Sequence, residues 1–317
     1  MYRIIAPVCS VSEITPALRA GAKEVYFGMM PEKWVHKYGN ADFISRRQGE
    51  MTHLSGFEEL YEIANIVNLY DCSATLVLNS RYSEEQLPFV FEILEHWEDA
   101  GGHSVMTSDI EILLWLNSKK SRLKRQLSIM AGIFNTQGVE FFKHLGVSRV
   151  VLPREMTISE INSIKVTNME YEMIVMFQKC EFIDSFCGFY HSFNYQPFLV
   201  QNYTAGPDLP EIKSYDPCYE GHGCQMRLIC NGNNIKHVNN NDMTTPFCAA
   251  CSLEYMLNAG IKNFKIAGRG YPFEMIIKAI KFIEQTLKNH IDKPAEIRQS
   301  YLRTFGHDCC QTKCYYQ

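Results

Sequence analysis

Residues 73–107 read SATLVLNSRYSEEQLPFVFEILEHWEDAGGHSVMT, and the fold class turns on this stretch. Ser73 to Leu78 is a short apolar run of strand length. Glu84 to Asp99 then carries apolar residues at helical spacing, closed by Gly101 and Gly102. Ser104 to Thr107 is a second short strand. Two apolar strands joined through a helix make a parallel βαβ unit, because a crossover is needed to bring the chain back to the same end of the sheet.

The alternation continues outward in both directions. Downstream come helix Ile110 to Ser118, strand Gln126 to Ala131, helix Thr136 to Leu145, strand Arg149 to Leu152, helix Ile158 to Ile164 with Thr157 or Ser159 as cap, and strand Tyr171 to Phe177. Upstream lie strand Arg3 to Val8, helix Ser12 to Ala20 closed by Gly21, strand Glu24 to Met29, a less regular segment from Pro31 to Ser55, and helix Phe57 to Leu69. An eighth strand, Asn263 to Ala267, follows the short helix Leu253 to Ala259, and Phe273 to Lys288 is a final amphipathic helix.

Eight short, largely apolar strands alternating with helices predict an α/β fold, a (β/α)8 TIM-barrel-like domain over residues 1–290. An open doubly wound sheet is the alternative. Either architecture puts chemistry at the carboxyl ends of the strands, where this chain has Cys9, Gly28, Asn79, Asp109, Arg154, Glu155, Cys180 and Arg269. Residues 178–252 form a cysteine-rich insertion between strands 7 and 8, with Asn194 to Asn241 read as irregular loop. Residues 291–317 read as a tail carrying Cys309, Cys310 and Cys314.

A net charge of −4 and a pI near 6.2 argue against a broad phosphate-binding surface. The basic run Lys119, Lys120, Arg122, Lys124 and Arg125 reads as a solvated helix end. The start, MYRIIAPVCS, lacks the pattern of a secretory leader, and no apolar run reaches membrane-spanning length, so a cytoplasmic protein is expected.

Seven of the twelve cysteines fall between Cys180 and Cys251. A chain with no sign of export has no disulfide framework to use them in, so a soft metal held by thiolates is the economical reading. Four thiolates hold an iron-sulfur cluster, and a four-cysteine zinc site uses the same ligands. Cys248 and Cys251 also satisfy a Cys-x2-Cys redox or zinc spacing. Neither a Gly-x-Ser-x-Gly elbow nor a His-Glu-x-x-His zinc signature occurs.

The succession AGAKEVYFG, TLVLNS, MTSDIEILL, LGVSRVVLPREMTISEI, the Cys180/Cys187 pair and AGIKNFKIAGR resembles the peptidase U32 family over most of Met1 to Lys288. In that family, members that hydroxylate ubiquinone precursors, transfer-RNA uridine or ribosomal-RNA cytidine without O2 carry a [4Fe-4S] cluster. The RNA-modifying members are thought to take oxygen from prephenate, and others are known as collagenase-like peptidases. The resemblance implies Cys180, Cys187, Cys224 and Cys248 as cluster ligands, with Cys218 the rival of Cys224. The family's His-Gly before the first cysteine is Met176-Phe177 here, its Gly before the second is Ser185, and the connection from Cys187 to Cys224 is longer.

On this reading the chain modifies, by O2-independent hydroxylation, a small aromatic or nucleobase substrate. Arg154, Glu155, Arg269, Asn79 and Asp109 are the expected substrate-binding residues. A peptidase acting on peptide substrates and a non-catalytic subunit paired with a second U32-family chain are the other readings, and the first reading also implies an electron-donor protein.

Overall fold

In a computed structural model of the chain, residues 2–38, 44–47, 52–164, 166–177, 179, 183–186, 227–230, 233–237, 246–308 and 314–315 are described, 227–230 and 233–237 by backbone alone. The strands are β1 (Arg3–Pro7), β2 (Glu24–Phe27), β3 (Ser73–Leu78), β4 (Ser104–Thr107), β5 (Lys124–Leu127), β6 (Val147–Val151), β7 (Glu170–Phe177), β8 (Arg227–Cys230), β9 (Asn233–His237), β10 (Phe247–Cys248) and β11 (Asn263–Ile266). The helices are α1 (Ile14–Ala20), α2 (Glu32–Tyr38), α3 (Glu58–Leu69), α4 (Leu87–Asp99), α5 (Ile110–Ser118), α6 (Thr136–His144), α7 (Ile158–Ser163), α8 (Leu253–Asn258), α9 (Phe273–Gln285) and α10 (Pro294–Phe305).

β1 to β7 pair in parallel succession, and β11 pairs with both β7 and β1, which closes an eight-stranded parallel barrel. The barrel predicted from the βαβ repeat is therefore the fold, and the open sheet is not. β10 adds antiparallel to β7 outside the closed ring. No helix among the described residues is long and apolar enough to cross a membrane.

Several local expectations change for identifiable reasons. Strand Gln126 to Ala131 ends instead at Leu127, because Ser128 accepts from the Met130 N–H and Gly132 is left-handed (φ 64°), turning Ile129–Ala131 into a 3-10 turn. The segment Pro31 to Ser55 contains α2, held by Trp34 packing on Tyr38 at 4.8 Å and against Tyr82 and Phe89. A seven-residue helix is too short to show a period, so these tertiary contacts supply its stability. Within Asn194 to Asn241, read as loop, β8 and β9 form an antiparallel hairpin. Residues 291–317 contain α10, whose Ile297, Tyr301 and Phe305 recur at spacing four, with Tyr301 and Phe305 packing on Phe282 of α9.

The strands are also less apolar than they look. Alternate residues face the barrel interior. One interior layer consists of Glu24, Thr75, Ser104, Gln126, Arg149, Glu172 and Lys265, all buried. Arg149 Nη1 donates to both Glu24 oxygens at 2.9 Å, Thr75 and Gln126 donate to Glu24 Oε1, and Lys265 pairs with Glu172 at 3.0 Å. Burial pushes Glu24 up, but Arg149 and these hydrogen bonds prevail and hold its carboxyl below the ordinary value.

Candidate functional site

Two residues further along each strand from that polar layer stand Tyr26, Val77, Met106, Ser128, Val151, Ile174 and Ala267, and these line a cavity of about 100 Å³ at the carboxyl-end mouth. The next step along β3 and β11 brings Asn79 and Arg269 to the rim. Period-two geometry thus stacks a charged floor, a mostly apolar wall and a polar rim.

Among the described residues, five cationic side chains border the cavity, Arg46, Arg47, Arg154, Lys265 and Arg269, against the single carboxylate Asp184. Lys265 is matched by Glu172, and Arg154 Nε donates to Asp184 Oδ2 at 3.0 Å. Arg269 differs. It is 2% exposed, its Nη2 donates to the Ser45 hydroxyl, and its Nε and Nη1 have no hydrogen-bond partner among the described residues. Burial pulls it down to about 10, so it stays charged at neutral pH. A Cβ at Gly28 would lie 2.3 Å from Arg269 Nη1, so only glycine lets β2 accept the guanidinium there.

Of the other residues expected to bind substrate, Asn79 lines the cavity, accepting from the Arg46 N–H at 3.0 Å and donating to Ser128 Oγ at 3.1 Å. Asp109 does not line it. Its Oδ1 accepts from the Glu111 N–H at 2.9 Å, which is the cap of α5. Glu155 also stands outside the lining, and both its carboxylate oxygens are buried without a hydrogen-bond partner among the described residues. Burial, reinforced by Asp184, pushes its carboxyl up.

A raised carboxyl favours the folded state while protonated and disfavours it once pH exceeds the folded value. Glu155→Gln is therefore expected to match the parent below the ordinary carboxylate value of 4.5 and to exceed it in thermal midpoint at pH 8. A thermal melt series from pH 4 to 8 reads this, and a variant less stable than the parent at pH 8 would refute the placement of an unpaired carboxyl.

Sequence reasoning missed Arg46, Arg47, Lys265 and Asp184. Arg46 and Arg47 sat in the segment with no visible period, whereas Lys265 could have been found as a lysine inside an apolar strand. Asp184 lies inside the Cys180/Cys187 spacing, and its pairing with Arg154 ties residues 183–186 to the segment that follows β6.

Cys180, Cys187 and Cys224, with the rival Cys218, lie outside the described residues. Phe186, one residue before Cys187 in the sequence, is 83% exposed. Cys248 is buried on β10 opposite Met176, and its sulfur accepts from the Ala250 N–H at 3.3 Å. Phe177, Phe247, Tyr271 and Tyr315 are apolar neighbours of that strand edge, with Phe177 on Tyr271 at 5.2 Å and Phe247 on Tyr315 at 6.2 Å. A buried thiol with a backbone donor to sulfur and aromatic walls has the donor chemistry that a thiolate-held iron-sulfur group requires. Phe177 holds φ 72°, a left-handed conformation costly for a bulky side chain, at the position where the resembling family has Gly.

The model of Peptidase family U32 matches residues 9–316. A Collagenase of Porphyromonas gingivalis is 24% identical over 166 residues, 52% of this chain and 36% of that protein. A tRNA hydroxylation protein P of Haemophilus influenzae is 24% identical over 177 residues, 54% of this chain and 35% of that protein. The alignments thus span about a third of these curated relatives. The solved U32 peptidase Mk0906 aligns with a TM-score of 0.41 at 16% identity, over 55% of this chain and 69% of that one.

Proposed function

The chain belongs to peptidase family U32, and on that premise we propose that it is an iron-sulfur enzyme that carries out O2-independent hydroxylation of a small aromatic or nucleobase substrate. The observation that carries the reading is the cationic cavity, in which Arg269 keeps two buried N–H-bearing nitrogens without hydrogen-bond partners among the described residues. A planar fork so disposed suits a carboxylate or phosphate, and the apolar wall suits a ring.

Cys180, Cys187, Cys224 and Cys248 would hold a [4Fe-4S] cluster, which when bound supplies one-electron redox chemistry. Arg269 anchors the anionic group, Asn79 and Ser128 offer polar contacts, and Tyr26 and Met106 exclude water from the ring. Arg154, through Asp184, holds residues 183–186 against the barrel rim. The tRNA hydroxylation relative supports this reading, and the collagenase-named relative supports peptide cleavage as the second one.

Mass spectrometry of RNA nucleosides and quinones from anaerobically grown deletion and complemented strains separates them. The expected result is a product heavier by one oxygen that disappears on deletion and returns with the parent chain but not with Cys187→Ser. Unchanged products, together with peptide cleavage that survives iron removal, would overturn the proposal in favour of proteolysis.

A further inference from the structure

The C-terminal segment is placed where a simple tail would not need to be. α10 is buried through Ile297, Tyr301 and Phe305, its Tyr301 hydroxyl donates to the Pro246 carbonyl, and Gly306 (φ 80°) ends it with a left-handed turn. Beyond it, Cys314 makes a parallel β-bridge with Cys248. The Tyr315 N–H donates to the Cys248 carbonyl at 3.1 Å, and Lys179 Nζ, from the residue before Cys180, donates to the Cys314 carbonyl at 3.3 Å. Residues opposite each other in a bridge project to the same face from chains about 4.8 Å apart. Two cysteines far apart in sequence are thus held side by side by main-chain hydrogen bonds, with Cys251 one short turn beyond Cys248.

We propose that Cys314 is a thiolate ligand of the same metal centre that Cys248 serves. This rests on the iron-sulfur reading above and changes its ligand set. The sequence leaves one ligand open between Cys224 and Cys218, and the bridge places a third claimant next to Cys248. Soft thiolate donors converging on one sheet edge suit iron-sulfur or zinc rather than hard cations. Hydrogen bonds that position both main chains beside the thiols are the kind of support that fixes ligand orientation.

The full chain is to be purified anaerobically as parent, Cys314→Ser and Cys72→Ser, with iron, acid-labile sulfide and zinc quantified and the reduced samples examined by low-temperature EPR. Cys314→Ser is expected to lose at least half the iron or shift the EPR signal, while Cys72→Ser keeps the parent's. Iron content and spectrum unchanged in Cys314→Ser would overturn the ligand assignment and leave the iron-sulfur reading standing. A parent with no iron and sulfide, or with zinc alone, would instead fail that reading, and this one with it. Should Cys314→Ser not fold, alkylation of the folded parent followed by peptide mass spectrometry decides. Cys314 is expected to be protected with the metal and modified after chelation, and equal modification in both states would overturn the assignment.

Discussion

Arg149→Met is expected to destabilise the barrel by about 3–5 kcal/mol, read as a lowered urea midpoint with little change in slope. The guanidinium lies between Glu24, Glu170 and Glu172, at 2.9, 3.2 and 3.3 Å. Glu24 is 1% exposed and Glu172 fully buried. Removing the cation leaves Lys265 to balance two interior carboxylates among the described residues, and burial then favours the protonated form of Glu24. The deficit is pH-dependent. In the parent, Glu24 is held below its ordinary value, so its contribution is present above the unfolded value of 4.5 and lost as pH falls through the folded one. The gap between parent and variant should therefore narrow from pH 7 to pH 4. A variant as stable as the parent at pH 7 would show that the interior layer is solvated rather than paired.

The second large effect concerns Arg269 and has opposite signs for stability and binding. This guanidinium is buried without a carboxylate partner among the described residues, so Arg269→Met is expected to raise unfolding stability. The same substitution removes the proposed anchor for the substrate's anionic group. Loss of a buried charge-assisted pair costs about 2–5 kcal/mol, roughly thirtyfold to several thousandfold in affinity. Titration calorimetry with a panel of aromatic carboxylates and nucleoside monophosphates checks the binding, and urea unfolding the stability. Arg269→Lys is expected to restore little of the affinity, since an ammonium cannot reproduce the planar fork. A variant that is less stable and binds as the parent does would assign Arg269 to structure.

Much of the barrel is legible in the chain because its signals are local. β3 appears over Ser73–Leu78 and β4 over Ser104–Thr107 where their apolar runs predict them, and α5 ends at Ser118 as its pattern does. What escapes is set by tertiary contact. α2 exists through aromatic rings brought from α4 and its approach, and α10 through three residues spaced by four among polar ones. The interior polar layer escapes for another reason: Glu24, Gln126, Arg149 and Lys265 each look like an isolated charged or polar residue, and only closure of the ring brings them together.

The candidate site divides in the same way. Arg154, Arg269 and Asn79 were found from their place at strand ends, and all three border the cavity. Arg47 and Asp184 come from segments with no period, so nothing in their spacing points inward. Asp109 follows the rule that an acidic residue before a helix is first of all its cap. The juxtaposition of Cys314 with Cys248 joins positions sixty-six residues apart, 248 and 314, and no local pattern encodes it.

The central claim is that thiolates including Cys248 hold an iron-sulfur cluster beside a cationic cavity. Anaerobic purification of the parent chain, with iron and sulfide quantitation and Mössbauer spectroscopy, tests it most directly. The account predicts about four irons and four sulfides per chain with the signature of a [4Fe-4S] centre. Stoichiometric zinc, or protein that is folded and free of metal, would contradict it.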